Sequence, residues 1–274
     1  MTNKISVSKV LIWIFVVILS LVTLFPFYIM IIMSTHVSED ILVSLQLLPG
    51  DYLMKNLQPV FSTNFLHFYF NSTYIAVIST AGCVLVSSLA GFAFAKYSFR
   101  GRKLLYGFLL ATLMIPTQLG LVGLVIQLKY MGLMNSHFAL IVPPMANAFN
   151  VFWVAQYMKS SVPNEILESA RIDGCGDFRL FFRIVFPLIR PVSITVFLLS
   201  FLNSWNNYIT PLVVLSKEKL YTIPMAITLF STTYRNDYAA SILALTLATL
   251  PIIIIFAFGS KYLIKGMVMG SVKG

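Results

Sequence analysis

The most charged stretch of the chain, residues 159–190, holds the polar side chains best suited to chemistry or recognition. A proline followed by Glu165 and Glu168 is typical of a helix start, because acidic groups favour the positive end of the helix dipole. Arg171 falls near the other end, and Gly174 supplies the left-handed residue that ends many helices. We therefore predict a short helix that stops at Gly174.

A second short helix is expected in the same stretch. Asp177 opens it, and we predict that it runs to Val185 and is closed by Pro187. Nothing here resembles a nucleophile elbow or paired catalytic carboxylates. A helix–turn–helix of this size is either a lipid-surface element or a docking knob for a soluble partner, and composition leaves both open. Its basic face holds Arg179, Arg183 and Arg190, and its apolar side holds Phe178, Phe181, Phe182 and Val185.

A second polar cluster lies within an otherwise apolar block. Amide side chains in hydrocarbon need partners, so they face other helices or a wet cavity. The cluster therefore either joins helices through hydrogen bonds or lines a path for a hydroxyl-rich solute, with a tryptophan offering an aromatic face. The residues alone leave both interpretations open. The cluster is Asn203, Ser204, Trp205, Asn206 and Asn207.

Histidine and cysteine give no metal or disulfide pattern. Among His36, His67 and His137, no two have the spacing of zinc ligands. Cys83 lies inside an apolar block and Cys175 in a loop, which is not a disulfide framework. We expect no metal site.

The elements that must position these residues follow from composition. Of the 274 residues, 58% are hydrophobic and 10% are charged, whereas soluble domains are roughly a quarter charged. A cytosolic enzyme, a disordered chain and a disulfide-rich secreted domain are thereby excluded. Uncharged blocks near or above the roughly 20 residues that span a bilayer predict an all-α, polytopic membrane protein with six transmembrane helices. The blocks are Val10–His36, Phe68–Ala95, Leu104–Leu128, Phe138–Met158, Pro191–Ser216 and Ala239–Ser260.

The net charge of +10 does not indicate nucleic acid, because the basic residues stand at the ends of the apolar blocks. There they set membrane orientation and meet anionic lipid. With the N-terminus inside, fourteen of the nineteen Lys and Arg residues fall in the cytoplasmic loops and ends. We therefore predict a multi-pass protein with both termini cytoplasmic. The five outer ones are Lys55, Lys129, Lys217, Lys219 and Arg235.

None of the six blocks contains Asp, Glu, Lys or Arg. Because an intramembrane charge usually marks an ion or proton path, this argues against an ion-coupled carrier and favours a neutral solute or an energy source elsewhere. No Gly-Lys pair occurs, so the chain has no P-loop and cannot hydrolyse ATP by itself. A secondary carrier, a facilitative channel and a membrane enzyme remain alternatives at this point.

The charged stretch resembles the "EAA" loop of binding-protein-dependent ABC transporter permeases. Glu168-Ser169-Ala170, three residues, Gly174, nine residues and Ile184-Val185-Phe186-Pro187 match that loop without a gap. Ser169 and Phe186 depart from it, where alanine and leucine are usual. The resemblance implies that the loop docks on an ATPase. The residues that would do so are Glu168, Ser169, Ala170, Arg171, Asp173, Gly174, Ile184 and Pro187.

Ala170-Arg171-Ile172-Asp173-Gly174 narrows the resemblance to carbohydrate-importing permeases similar to the second membrane subunit of maltose transporters. Other matches run through most of the chain. They include Asn71-Ser72, Leu89-Ala90, Phe94-Ala95, Met114-Ile115-Pro116, Gly132-Leu133, Ser204-Trp205-Asn206 and the tail from Lys265 to Gly274.

This resemblance implies an ABC importer permease-like fold in the cell membrane and a division of labour. The partners would be a second homologous permease, a cytoplasmic ATPase dimer that binds ATP and magnesium, an external sugar-binding protein and membrane lipid. The chain itself would need no cofactor. We expect a first helix and outer loop in 1–67, a permease core in 68–262 containing the coupling loop 159–190, and a cytoplasmic tail in 263–274. Asn203, Trp205, Asn206 and Asn207 would line the translocation path.

Overall fold

Helices make up all of the regular structure in residues 7–230 and 237–268, the part of the chain that the computed structural model describes. Short 3₁₀ turns lie at Thr117–Leu119, Pro143–Met145, Glu218–Leu220 and Ile227–Phe230, and one π-helical turn lies at Phe181–Val185. The α-helices are α1 Val7–Met33, α2 Ser38–Val43, α3 Leu53–Ser62, α4 Phe65–Lys96, α5 Arg102–Thr112, α6 Gly120–Tyr130, α7 Phe138–Ile141, α8 Ala148–Ser161, α9 Asn164–Ile172, α10 Asp177–Leu180, α11 Phe186–Leu188, α12 Arg190–Trp205, α13 Ile209–Val214, α14 Ile223–Ala226 and α15 Tyr238–Val268.

Four stretches of the described residues are long and apolar enough to cross a membrane, and a bent pair of helices brings the number to as many as five. The bent pair is Asp177–Leu188 with Arg190–Trp205, whose axes differ by 79°. The all-α, multi-span prediction is therefore confirmed, although the count of six continuous spans is not reproduced. The four stretches are Ser8–Met33, Phe65–Lys96, Phe138–Ser161 and Tyr238–Lys261.

The predicted block Leu104–Leu128 accounts for part of the difference. It is divided into α5 and α6, each of 11 residues. Pro116 lies between them, and Thr117–Leu119 forms a single 3₁₀ turn. Proline has no N–H to give to a helix, so an apolar run that contains one can divide where the freed carbonyls find other partners.

The block Pro191–Ser216 is also divided. α12 ends at Trp205 and α13 begins at Ile209, so the polar cluster stands at a break and not in the middle of one span. The side-chain oxygen of Asn207 accepts a hydrogen bond from the backbone N–H of Thr210 at 3.2 Å. Asparagine side chains compete with helical backbone bonds in this way, which explains the interruption.

The described chain groups into two compact units, the first of Met1–Leu66 with Ala226–Leu250 and the second of His67–Met225 with Pro251–Gly274. The division into 1–67, 68–262 and 263–274 stays a prediction. Lys4, Arg235 and the end of the tail, including Lys273, lie outside the described residues.

In the first unit, polar side chains fasten the segment after α1. The side-chain amide of Asn56, in α3, donates to the carbonyl oxygens of Ser34 and His36 at 2.9 and 2.8 Å. The hydroxyl of Tyr28 donates to the carbonyl of Leu47 at 2.6 Å. These bonds hold the loop against the end of the first span.

The core of the second unit lies among α4, α8, α12 and the turn after α10. Val154, Met158, Leu180, Val192 and Val196 each have 0% exposure there. A β-carbon added at Gly91 of α4 would come within 2.9 Å of Val154 in α8. Close approach of two helices through a small residue is the usual way in which helices associate without a hydrophobic driving force.

Candidate functional site

The loop 162–189 begins with a short extended link. Val162 is buried, and Pro163 has φ −63° and ψ 141°, so the chain leaves α8 and turns before α9 starts. The ammonium group of Lys96, the last residue of α4, donates to the carbonyl of Val162 at 2.5 Å and to the side-chain oxygen of Asn164 at 2.9 Å. The start of α9 is thereby fixed to the end of the second span.

One face of α9 packs against the rest of the protein, and the other face is exposed. Leu167 and Ala170 are buried, whereas Glu168, Ser169 and Arg171 are exposed. Ala170 lies on the buried face of α9, where 8% of it is exposed. Ser169 stands where alanine is usual in the EAA loop. Its hydroxyl donates to the carbonyl of Glu165 at 2.8 Å, so this polar group finds its hydrogen-bond partner within the helix.

The predicted helix stop at Gly174 is confirmed. Gly174 has φ +76°, the left-handed region that favours glycine. Its N–H donates to the carbonyl of Arg171 at 3.0 Å, and the N–H of Cys175 donates to the carbonyl of Ala170 at 2.9 Å. These two bonds form a Schellman motif. Asp173 is the exposed C-cap residue.

Three side chains join α9 to α10 and to the end of α4. The guanidinium of Arg171 lies 3.7 Å from the carboxylate of Asp177 and 5.1 Å from the ring centroid of Tyr97. The hydroxyl of Tyr97 donates to Asp177 at 2.5 Å. Burial, and next the hydrogen bond to Asp177, raise the pKa of Tyr97 above its usual value. The phenol therefore keeps its proton, and with it the bond that crosses the turn.

The second helix is longer than predicted. It starts at Asp177, but it passes through the π-helical turn and ends at Leu188, not at Val185. Pro187 lies just after the π-helical turn, in the first positions of α11, and does not end the helix. Pro187 is exposed and Ile184 is half-buried.

Of the apolar side chains on this helix, some are buried and others are exposed. Phe181 and Val185 are buried in the core of the second unit. Phe178 keeps 78% and Phe182 49% of its side chain exposed. At the end of α9, Ile172 is 86% exposed. An anchored turn with exposed apolar side chains at its tip has the character of a docking surface, since such side chains gain most from being covered.

The five residues of the polar cluster do not share one environment. Asn203 and Asn206 are exposed, Ser204 and Asn207 are half-buried, and Trp205 is buried. The hydroxyl of Ser204 accepts a bond from Ser79 of α4 at 3.2 Å. Ser204 therefore joins helices, whereas Asn203 and Asn206 are exposed and their place along a translocation path stays a prediction.

Trp205 does not offer an open aromatic face in this structure. Its ring stacks on Phe201 at 5.6 Å between centroids and meets Tyr69 edge-on at 5.5 Å. Its exposure is 2%. Trp205 thus positions the end of α12, beside the exposed amides of Asn203 and Asn206.

The histidines serve as hydrogen-bonding groups at loop ends. His137 donates from Nε2 to the carbonyl of Leu220 at 2.9 Å and accepts at Nδ1 from the hydroxyl of Tyr74. His67 bonds through Nε2 to the carbonyl of Lys219 at 2.8 Å. Burial lowers the pKa of His137, which keeps it neutral. No group of three His, Cys, Asp or Glu side chains among the described residues could hold a metal ion.

Two residues of the loop's support were missed by sequence reasoning. The sequence marks Lys96 only as one of the orienting basic residues and gives no role to Tyr97, although both contact the loop across more than sixty positions of sequence. Their position directly after an apolar block, with both a charge and a phenol, was the one available signal.

Comparison with known proteins gives a consistent answer. A family model described as "Binding-protein-dependent transport system inner membrane component" matches residues 84–269. The arabinooligosaccharides transport system permease protein AraQ of Bacillus subtilis (strain 168) is 33% identical, covering 98% of this chain and 97% of that protein. The lactose transport system permease protein LacG of Rhizobium radiobacter is 32% identical, covering 92% and 91%.

A solved structure agrees on the fold. A crystal structure of a bacterial ABC transporter involved in the import of the acidic polysaccharide alginate contains a chain with a TM-score of 0.81, 20% identity, and coverage of 95% of this chain and 99% of that one. The resemblance drawn from the charged loop is thus confirmed, together with the permease-like helical fold. The chain belongs to the family of binding-protein-dependent transport system inner membrane components.

Proposed function

We propose that this chain is a permease subunit of an ATP-driven importer for a sugar or oligosaccharide. It forms half of the translocation path, and an ATPase docks on the loop between α8 and α12. The relatives AraQ and LacG, named for arabinooligosaccharides and lactose, support the class of solute. The absence of charged residues from the six apolar blocks is consistent with an uncharged solute.

The anchored tip of the loop carries the proposal. α9 is held at its start by Lys96 and at its end by the Arg171–Asp177–Tyr97 contacts. Its exposed Ile172 and Phe178 offer apolar area to a partner. A surface held at both ends transmits displacement instead of absorbing it, which is what a subunit driven by a separate ATPase requires.

The remaining parts of the importer follow from this assignment. A second homologous permease completes the path, a pair of cytoplasmic ATPases binds ATP and magnesium, and an external binding protein delivers the sugar. The loop and both termini lie in the cytoplasm, on the basis of the fourteen-to-five distribution of Lys and Arg. The exposed amides of Asn203 and Asn206 line the path, with Asn207 beside them.

Co-purification of the ATPase, together with sugar-stimulated ATP hydrolysis, tests the proposal. Glu168→Lys places a positive charge on the exposed face of α9 and should reduce both. The matched control is Glu218→Lys, the same charge change on an exposed residue of another loop, which should leave both unchanged. Equal losses in the two variants, or none in Glu168→Lys, would contradict docking at α9.

A secondary carrier is distinguished by a different measurement. The purified chain in liposomes should give no sugar flux by itself, since it has no P-loop and no intramembrane charge to couple to an ion. Flux from the isolated chain would replace the ATP-driven assignment with a carrier or channel.

A further inference from the structure

A pocket of about 740 Å³ lies in the second unit where α4 ends, α5 begins and α8 ends. Its lining includes three basic residues, Arg102, Lys103 and Lys159, which come from two different helices. The other walls include the rings of Phe94 and Tyr106. This pocket is separate from the exposed tip of the docking loop and from the polar cluster.

The charge of the pocket is unbalanced. No acidic residue lines it, and among the described residues none of its three basic groups is paired with a carboxylate. Lys159 has its ammonium group 5.1 Å from the centroid of the Tyr106 ring, a contact that leaves the N–H groups available. Arg102 and Lys103 stand in the first turn of α5, where their charges add to the positive end of the helix dipole.

The surface next to the pocket is apolar. Leu104, Leu105 and Phe108 on α5 are 78%, 52% and 69% exposed. In a membrane protein such a face meets acyl chains or another helix. A basic pocket that continues into an apolar helix face matches a molecule with an anionic head and hydrocarbon tails, and basic pockets between membrane helices are typical sites for such head groups.

We propose that this pocket binds the head group of one anionic phospholipid. The phosphate lies among Arg102, Lys103 and Lys159, and the acyl chains run along the exposed apolar face of α5. The inference depends on the membrane placement of the chain and not on ATPase docking or on sugar recognition.

Native mass spectrometry of the delipidated full-length chain tests the site, with phosphatidylglycerol and phosphatidylcholine of identical acyl chains as probes. The wild type should retain one phosphatidylglycerol per chain and bind phosphatidylcholine far more weakly. Replacing Arg102, Lys103 and Lys159 together by Gln should weaken phosphatidylglycerol binding at least about tenfold, since each basic group near anionic lipid contributes appreciably.

A matched triple variant distinguishes lipid binding in the pocket from general electrostatic attraction of anionic lipid to the protein surface. Arg179→Gln, Arg183→Gln and Arg190→Gln remove the same charge from exposed residues outside the pocket, and should change binding by less than about twofold. Equal losses in the two triple variants would overturn the proposal. So would equal retention of phosphatidylcholine, or displacement of the lipid by inorganic phosphate, which would indicate a site for a soluble anion.

A single substitution serves if the triple variant does not fold. Lys159 is exposed at the end of α8, so Lys159→Gln removes one charge with little loss of packing and should weaken binding about threefold to fivefold. Lys159→Arg should restore it. Wild-type lipid retention in Lys159→Gln would contradict the site. Because the assay contains no ATPase, its failure leaves the docking proposal standing, and the reverse also holds.

Discussion

Lys96 and Val162 are joined by a hydrogen bond of 2.5 Å from the lysine ammonium to the carbonyl oxygen, although 66 positions separate them in the sequence. Lys96 ends α4, and Val162 is the residue at which the chain leaves α8. The same ammonium also reaches Asn164, the first residue of α9. The direction in which the loop 162–189 leaves α8 is therefore set by a side chain from α4.

Lys96→Met should loosen the start of α9. A charge-assisted hydrogen bond in a partly exposed position contributes about 1–2 kcal/mol, so the protein should melt at a lower temperature and the link at Pro163 should be cut faster by protease. Lys129→Met, at the exposed end of α6, is the control and should alter neither. Equal melting and cleavage in both variants would show that the bond does not hold the loop.

Gly174→Val should reduce ATPase docking while leaving the protein inserted in the membrane. The φ of +76° is strained for any side chain, and a β-branched one costs roughly 1 kcal/mol or more. Gly176 is a matched control, since its φ is −68° and an added β-carbon meets nothing within 4 Å. Gly176→Val should therefore retain ATPase co-purification and sugar-stimulated hydrolysis. Normal values of both in Gly174→Val would contradict the role of this turn.

Substitutions of two asparagines distinguish a residue that lines the translocation path from one that joins helices. Asn206 is exposed, so Asn206→Leu should lower sugar flux while the yield of assembled complex stays the same. Asn150 is buried and donates to Cys83 and Ser200 at 3.1 and 3.0 Å. Asn150→Leu should therefore lower the yield, by contacts of about 0.6 kcal/mol each, and leave flux per complex unchanged. The reverse pattern would mean that the amide of Asn206 joins helices.

Acidification should destabilise the protein through His137. Burial lowers its pKa in the folded state, so the unfolded chain takes up a proton first as the pH falls through about 6.5. Stability that is fully present above that pH is then lost as the pH falls towards the folded-state pKa. Melting temperatures measured from about pH 8 to pH 5 should decline, and His137→Gln should flatten the decline. An unchanged pH profile in that variant would exclude His137 as its source.

Helix packing in the second unit depends on Gly91. Gly91→Ala would place a β-carbon 2.9 Å from the side chain of Val154 and 3.1 Å from the backbone nitrogen of Ala155, which should push α4 and α8 apart and lower the melting temperature. Gly107, inside α5, has nothing within 4 Å of such a carbon. Gly107→Ala should therefore be neutral or stabilising by about 0.5–1 kcal/mol, because alanine is the better helix former. Destabilisation of equal size in both would remove the packing explanation.

Features that depend on neighbouring residues are predictable from the sequence, whereas features that depend on distant contacts are not. The stop at Gly174 was predicted because a helix end depends on a few neighbouring residues. The extent of the second helix was not, because the π-helical turn at Phe181–Val185 depends on burying Phe181 and Val185 in a core formed by distant residues. The sequence therefore predicts that Pro187 closes the helix, whereas the helix continues past it to Leu188.

The same distinction applies to the apolar blocks. Hydropathy identifies Leu104–Leu128 as long enough to span a membrane, but it does not tell a continuous helix from two short ones on either side of Pro116. The roles of Lys96 and Tyr97 depend on contacts with residues 66 and 80 positions away. Such contacts leave no periodic signal in the sequence.

The 79° bend between Asp177–Leu188 and Arg190–Trp205 gives this part of the chain two helical arms that meet at buried Ile189. At 1.5 Å per residue the arm that ends at Asp177 is about 18 Å long, and α12, which ends at Trp205, is about 24 Å long. If the two arms turn about Ile189 as one rigid body, each ångström of movement at Asp177 moves Trp205 by about 1.3 Å, in a direction that differs by the angle of the bend. Under that condition a push across Asp177 becomes a sideways movement at Trp205, beside the exposed amides of Asn203 and Asn206.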